Sequence, residues 1–554
     1  MKKYIYILLL LISVISGARL ISPQIDYVKV TYDTSSSAVG AAENSVTTKN
    51  IEEKYVIVQV FLNFDYHFKA NGKENDIKNK KVQFDKESRH EAEKYFKGNN
   101  ESILKYLKLE NYIDLYVCMY ASFIEVSYEY DYFTLNKFDI LASFSKSPYV
   151  ESVNVMEFTD AFKPSLVGSS YYSGYYELYQ DRSKTGNGAV VGILEPGIID
   201  DDHPNLQNTD IQIRSSIYNI LASEEHTTQM ALIIAGENGI APDAVLKNAY
   251  LNGSMSDEME WLINKGVDIV NMSFGHNDVD GIYESNAAYV DYIAYTYDVL
   301  LVAAAGNNGT TNGYVETPGL GYNVITVGSI SSEGYSNSFS SDTVVDGPVK
   351  PTISARGDAV RLFDEDDTTV TGTSAATAVC SGILSLVLED YPTLPSNRQL
   401  LVALMCANAD VYSANSAYYD NGFSFGNGAG RIDYANMITN YDNARMFLNN
   451  SKNDGDTFAH QSLFLRRGET LRVAIAYLAK STGTVSSLAF TDYDVYLLNP
   501  DGEVVEGANS IDSVVELFTY TVTQTGTYQY YVRQCSDRAV TSEKIGIAHR
   551  IFTI

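Results

Sequence analysis

Five short, almost wholly apolar runs, at residues 189–194, 245–251, 267–272, 299–305 and 324–327, constrain this chain more than any other feature. A strand with one wet face alternates apolar and polar side chains, whereas an unbroken apolar run needs cover on both faces. Helical spacing lies between several of them, at 227–235, at 257–265 and ahead of Asp298. Strand and helix in alternation imply a parallel α/β sheet with helices on both sides. Two more helices are expected, at 374–390, stopped by Pro392, and at 397–406. For the second, Ser396 and Gln399 have capping-box spacing.

On either side the period changes. From residue 54 to about 158, strands are expected at 55–62, 112–120, 124–130 and 150–155, with helices at 101–107 and 135–143. That order describes a small α+β module of βαββαβ type, with a polar insertion at 71–97. A Tyr-, Ser- and Gly-rich linker follows at 160–187, and residues 19–50 form a polar lead-in. Beyond residue 448, runs at 471–477, 494–498, 514–522 and 527–533 alternate apolar and polar, broken by Pro500-Asp501-Gly502 and Thr525-Gly526. This reads as an all-β sandwich. At 554 residues the length suits three or four such units.

The first residues run Lys2-Lys3, an apolar stretch over 4–15, then Ser16-Gly17-Ala18. Charged, apolar and small residues in that order make a secretory signal, with cleavage expected after Ala18 and export as the destination. No stable membrane insertion is expected once it is removed. Acidic residues exceed basic ones, giving a formal net charge of −29, which excludes the basic footprint of a nucleic-acid binder. The four cysteines, Cys118, Cys380, Cys406 and Cys535, are scattered without zinc-ligand spacing. Cys380 and Cys406 lie on candidate neighbouring helices, as buried thiols or as a bridge, buried thiols being the expectation.

Four residues stand where an open α/β sheet gathers its chemistry, at strand carboxyl ends and helix N-termini. Glu195 follows the first apolar strand. His226 opens the helix at 227–235. Ser374 opens the helix at 374–390, whose free N–H groups and dipole suit an anion. Asn307 follows the strand at 299–305 in Ala303-Ala304-Ala305-Gly306-Asn307-Asn308-Gly309. Each has an ordinary reading: a helix cap for Ser374, a surface histidine, a turn at Asn307, the polar exit of a strand at Glu195. Together they are a nucleophile, a base, an orienting acid and an oxyanion donor.

The blocks carrying these residues resemble those of the subtilisin-like serine peptidases, the subtilases. The acid block is Gly192-Ile193-Leu194-Glu195-Pro196-Gly197, followed by His203-Pro204. Then come His226-Thr227-Thr228-Gln229, Val270-Asn271-Met272-Ser273-Phe274-Gly275, Ala304-Ala305-Gly306-Asn307 and Gly372-Thr373-Ser374-Ala375. The resemblance implies Ser374 as nucleophile, His226 as general base, Glu195 as orienting acid, and Asn307 with the Ser374 N–H as oxyanion donors. It implies that Ser273, Phe274 and Gly275 pair with an extended peptide, and that Ala304, Ala305 and Gly306 wall the primary specificity pocket. It further implies a signal at 1–18, an inhibitory propeptide at 19–165 cut within 157–184, a peptidase domain at 166–447 and a sandwich at 448–554.

The chain departs from the family pattern in places. Glu195 stands where Asp is usual, and the added methylene shifts the carboxylate by about a bond length. Asp200 is the reserve for its role. Thr227 and Gln229 replace a Gly and a second His, and Ala375 and Ala378 replace a frequent Met and Pro. The calcium loop that many relatives insert after the histidine helix is missing between Gly236 and Gly239. No metal or cofactor is required; structural calcium has candidate ligands in Asp200–Asp202 and at 364–367. The expected partners are polypeptide substrates and the chain's own propeptide. Against the secreted endopeptidase stands a catalytically impaired homologue that keeps the fold as a binding module. A lipase or esterase is excluded, since no Gly-x-Ser-x-Gly elbow surrounds Ser374.

Overall fold

A computed structural model of the chain describes residues 30–32, 55–62, 85–86, 89–107, 109–158, 163–164, 184–214, 224–251, 255–275, 281–309, 313–362, 368–411, 421–450, 453–536 and 543–553. The signal segment, the 364–367 loop and most of the linker lie outside them.

The N-terminal module contains β1 (Val30–Tyr32), β2 (Tyr55–Leu62), α1 (Arg89–Leu104), β3 (Asp114–Val117), β4 (Phe123–Glu129), α2 (Tyr130–Ser145) and β5 (Val150–Phe158). Its sheet has the order β1-β5-β2-β4-β3, antiparallel except for β1 beside β5. The expected strands and the second helix are present, but α1 spans Arg89–Leu104 rather than 101–107. The misplacement has a physical cause. The charged residues of 91–97 mask a buried face made by Ala92, Tyr95, Phe96, Asn99 and Ile103.

The central unit begins with β6 (Lys163–Pro164), β7 (Val190–Glu195), β8 (Ile211–Ile213), α3 (Glu225–Ala235), β9 (Val245–Tyr250) and α4 (Met255–Asn264). It continues with β10 (Ile269–Met272), β11 (Phe274–Gly275), α5 (Ser285–Thr296), β12 (Leu300–Ala304), β13 (Ile325–Ile330) and β14 (Ile353–Arg356). A short hairpin, β15 (Val360–Arg361) with β16 (Thr369–Val370), leads into α6 (Thr373–Asp390), α7 (Arg398–Asn408) and α8 (Tyr434–Thr439). Seven strands form one parallel sheet in the order β14-β13-β12-β10-β7-β9-β8. Both faces are covered, as the unbroken apolar runs require. Leu300 and Val302 of β12 join the core that includes α3 and α6, while Leu301 and Ala303 join the core that includes α4 and α5. After β9 the chain crosses from one flank of β7 to the other, so the sheet changes direction at β7, where such sheets open a crevice.

The capping box expected at Ser396 does not form. Pro395–Asn397 coils into a 3₁₀ turn, and α7 starts at Arg398 with no side-chain cap from Asn397. The last unit contains β17 (Ala444–Asn449), β18 (Thr457–Leu465), β19 (Thr470–Ala476), β20 (Tyr493–Leu498), β21 (Val504–Ala508), β22 (Val515–Thr521), β23 (Gly526–Gln534) and β24 (Glu543–Phe552). They form two four-stranded antiparallel sheets, β17-β24-β19-β22 and β18-β23-β20-β21. The first docks on α7: Gly546 of β24 lies so close that a Cβ there would stand 2.1 Å from the Gln399 carbonyl oxygen. All four cysteines are free thiols, Cys380 and Cys406 buried, so no bridge joins their helices. Among the described residues, no helix is long and apolar enough to cross a membrane.

Candidate active site

The carboxyl edge of the parallel sheet assembles the four polar residues singled out above. Glu195 ends β7 and is fully buried. His226 is the second residue of α3. The two meet because Gly197 lets the outgoing loop press on the helix start; a Cβ at Gly197 would lie 2.3 Å from Cβ of Glu224 and 2.6 Å from Oγ1 of Thr227. Oε2 of Glu195 stands 3.3 Å from Nδ1 of His226, within ion-pair reach but off the line of a straight hydrogen bond. The other oxygen, Oε1, accepts the Ser273 backbone N–H at 3.0 Å. The Asp200 backbone N–H donates to Oγ1 of Thr228 at 2.9 Å. Among the described residues, the ion-pair contact of His226 is with Glu195.

Ser374 is the second residue of α6 and is fully buried. Its hydroxyl donates to the Ser273 carbonyl at 2.6 Å, not to His226, whose Nε2 makes no hydrogen bond. Ser273 returns a bond, Oγ to the Ser374 carbonyl at 3.0 Å. Behind it, Asn271 Nδ2 donates to Oγ of Ser273 at 2.8 Å, and Oγ of Ser381 donates to Oδ1 of Asn271 at 2.9 Å. Ser273 therefore ties Glu195 to Ser374, a link beyond the peptide pairing expected of it. The sequence signal for this chain of bonds is thin: three buried polar residues spread over β10, the residue after it and α6.

Asn307 is oriented by α6. Its Oδ1 accepts both the N–H and Oγ1 of Thr373 at 3.0 Å each, which leaves the buried Nδ2 without a hydrogen-bond partner. Thr373 uses its own N–H in this way, while the next N–H groups of a helix start have no acceptor within the helix. Two oriented donor groups beside a serine hydroxyl provide a place for negative charge to develop on an oxygen.

Phe274 and Gly275 form β11, and β11 pairs antiparallel with β6, Phe274 opposite Pro164 and Gly275 opposite Lys163. Peptide backbone from the linker thus already lies along the strand expected to take an extended chain. Ala304, Ala305 and Gly306 are on the neighbouring edge, the first two buried and Gly306 donating its N–H to Oγ1 of Thr373 at 3.2 Å. A residue outside the expectations sits between these segments: Glu316, buried, with Oε1 accepting from Nδ2 of Asn308 at 2.7 Å. No motif marks it in the sequence.

For metal ions, the described residues offer one close group, Asp492, Asp494 and Cys535, in the sandwich; Asp200–Asp202 form no such group. The Cys535 thiol donates to Oδ2 of Asp494 at 2.9 Å, and a thiol is a poor partner for calcium, which takes oxygen ligands.

The profile of the subtilase family matches residues 186–430. A thermostable alkaline protease of Halalkalibacterium halodurans is 30% identical over 259 residues, covering 44% of this chain and 67% of that protein. A subtilisin of a Bacillus species (strain TA39) is 26% identical over 333 residues, covering 51% and 77%. The serine protease AprX of Bacillus subtilis is 26% identical over 266 residues, covering 38% of this chain and 60% of its own. The chain belongs to the subtilase family of serine peptidases.

Proposed function

We propose that the protein is an exported endopeptidase that cuts polypeptides through Glu195, His226 and Ser374. The observation that carries the reading is the 3.3 Å approach of Glu195 to Nδ1 of His226, because the longer side chain reaches the imidazole it has to orient. With Nδ1 facing this carboxylate, Nε2 is left to accept a proton. A turn about the Cα–Cβ bond of Ser374 frees its hydroxyl from Ser273 and presents it to Nε2. Oγ then attacks the scissile carbonyl as the proton passes to His226. Nδ2 of Asn307 and the Ser374 N–H stabilise the oxyanion, and the imidazolium protonates the leaving amine. A water repeats the sequence to release the acyl group. The reaction uses side chains and backbone alone.

The N-terminal module, in this reading, is an inhibitory propeptide. The pairing of Lys163–Pro164 with Phe274–Gly275 supports this, since it occupies the strand a substrate needs. Cleavage within 157–184 would open the cleft, and the signal at 1–18 would direct export. The polypeptide partners are substrates and this module; the net charge of −29 argues against nucleic acid.

The bond from Ser374 to Ser273 favours a second reading, an impaired homologue that binds peptides without cutting them. Ser374→Ala decides between the two. We expect it to lower peptide hydrolysis at least ~10⁴-fold and to leave the N-terminal module attached, as judged by mass spectrometry of the mature N-terminus. Processing that proceeds unchanged in the variant sinks the catalytic reading.

A further inference from the structure

The loop between β12 and β13 delivers Glu316 to an unusual place. Its backbone N–H donates to the Ala305 carbonyl at 3.0 Å, which fixes the loop against the segment leading to Asn307. Its side chain then enters the gap between two glycines. A Cβ at Gly275 would lie 1.9 Å from Oε2, and one at Gly306 would lie 2.7 Å from Cδ. Any side chain at either position would collide with the carboxylate, so both walls are bare for its sake. Nδ2 of Asn308 holds Oε1 at 2.7 Å and sets the direction of the group.

The address of this gap is defined by its neighbours. Gly275 is two residues from Ser273, whose carbonyl holds the Ser374 hydroxyl, and Gly306 adjoins Asn307. In the catalytic reading, a peptide carbonyl placed between Ser374 and Asn307 brings the side chain of its own residue to these walls, where the Glu316 carboxylate meets it. Burying an apolar side chain against a carboxylate strips water from the charge and returns nothing, whereas a cation pairs with it. A site built around a buried charge rejects ligands that cannot satisfy it.

We propose that Glu316 is the specificity-determining residue of this peptidase and selects Lys or Arg on the acyl side of the scissile bond. The assignment rests on the catalytic reading above. The test uses the processed enzyme, produced from the full-length chain, and peptide amides that differ only in that residue, Arg, Lys, Phe or Ala. The expected kcat/KM for Arg and Lys exceeds that for Phe and Ala by about 100-fold or more. Glu316→Gln should lower the Arg-to-Phe ratio at least about tenfold, since it keeps the shape and removes the charge. A preference for Phe overturns the proposal. So does exclusive cleavage after Ala, which would mean that the carboxylate closes the pocket, and so does a ratio unmoved by Glu316→Gln. A fluorophosphonate without a peptide side chain reports Ser374 separately and shows that the variant is folded. Full labelling without Lys or Arg preference sinks the pocket assignment alone; no labelling sinks the catalytic reading and this inference with it.

Discussion

Glu195 spends both of its oxygens, one on the Ser273 N–H at 3.0 Å and one at 3.3 Å from His226. A shorter acid on the same strand end would have to abandon one of them. Restoring the residue more usual in the family, Glu195→Asp, is therefore expected to lower kcat/KM by about 100-fold, the scale set by a misplacement of roughly 1 Å. Glu195→Gln, which keeps the length and loses the charge, is expected to cost more, about 10⁴-fold in kcat. Steady-state kinetics on the two processed variants check this, and an Asp variant as fast as the parent would show that β7 adjusts. That Glu195, His226, Asn307 and Ser374 would gather at one edge of the sheet was legible in the chain, because each sits in a short block at a strand end or helix start. Glu316 was not. It lies in an unpatterned loop, and its position depends on what Gly275 and Gly306 leave out, which no local spacing records.

Helix α6 shows how an element can depend on a residue that propensity disfavours. Gly382 costs about 1 kcal/mol relative to Ala inside a helix. It is kept because Ile240 lies against it: a Cβ would approach Cβ of Ile240 to 2.7 Å. Gly382→Val is expected to destabilise the protein by about 1–3 kcal/mol through overpacking, read as a lower denaturation midpoint with an unchanged slope. No loss of stability would mean that the loop carrying Ile240 yields. The same element holds Ser374 and Thr373, so a shift of its first turn should also reduce fluorophosphonate labelling. Elements buried on both faces, such as β7, β10 and β12, were legible from their apolar runs. Elements whose buried face is interrupted by charge were not, as α1 shows. At α7, Ser396 and Gln399 had the spacing of a cap, but Pro395 started a 3₁₀ turn that displaced the helix start.

Across the whole molecule the order of units was legible, and the joint between the first two was not. It is made by scattered groups. Tyr292 and Tyr297 of the central unit both donate to the Tyr120 carbonyl at 2.5 Å, and Arg89 reaches the carbonyls of Ile263 and Val267 at 3.2 and 3.1 Å. Part of the abundance of tyrosine, 43 residues, has its reason here, in hydroxyls that close buried carbonyls between packed surfaces. At the centre, Glu260 of α4 accepts the N–H groups of Met119 and Tyr120 at 2.9 and 3.0 Å, the Cys118 thiol at 2.7 Å and the Tyr116 hydroxyl. Burial pushes its carboxyl up from 4.5 to about 7, although these donors pull the other way. Once the N-terminal module departs, water returns and the carboxyl falls back toward 4.5. The docked state then binds the proton more tightly than the separated state. Docking is strongest below the lower value, weakens as pH rises between the two, and is flat above the higher one, a change of up to about 300-fold in the association constant. Hydrogen exchange of residues 118–121 in the Ser374→Ala chain, corrected for intrinsic rates, should show less protection at high pH than at low. Glu260→Gln, which has no proton to lose, should flatten that dependence; a slope that survives the substitution would place the titrating group elsewhere in the joint.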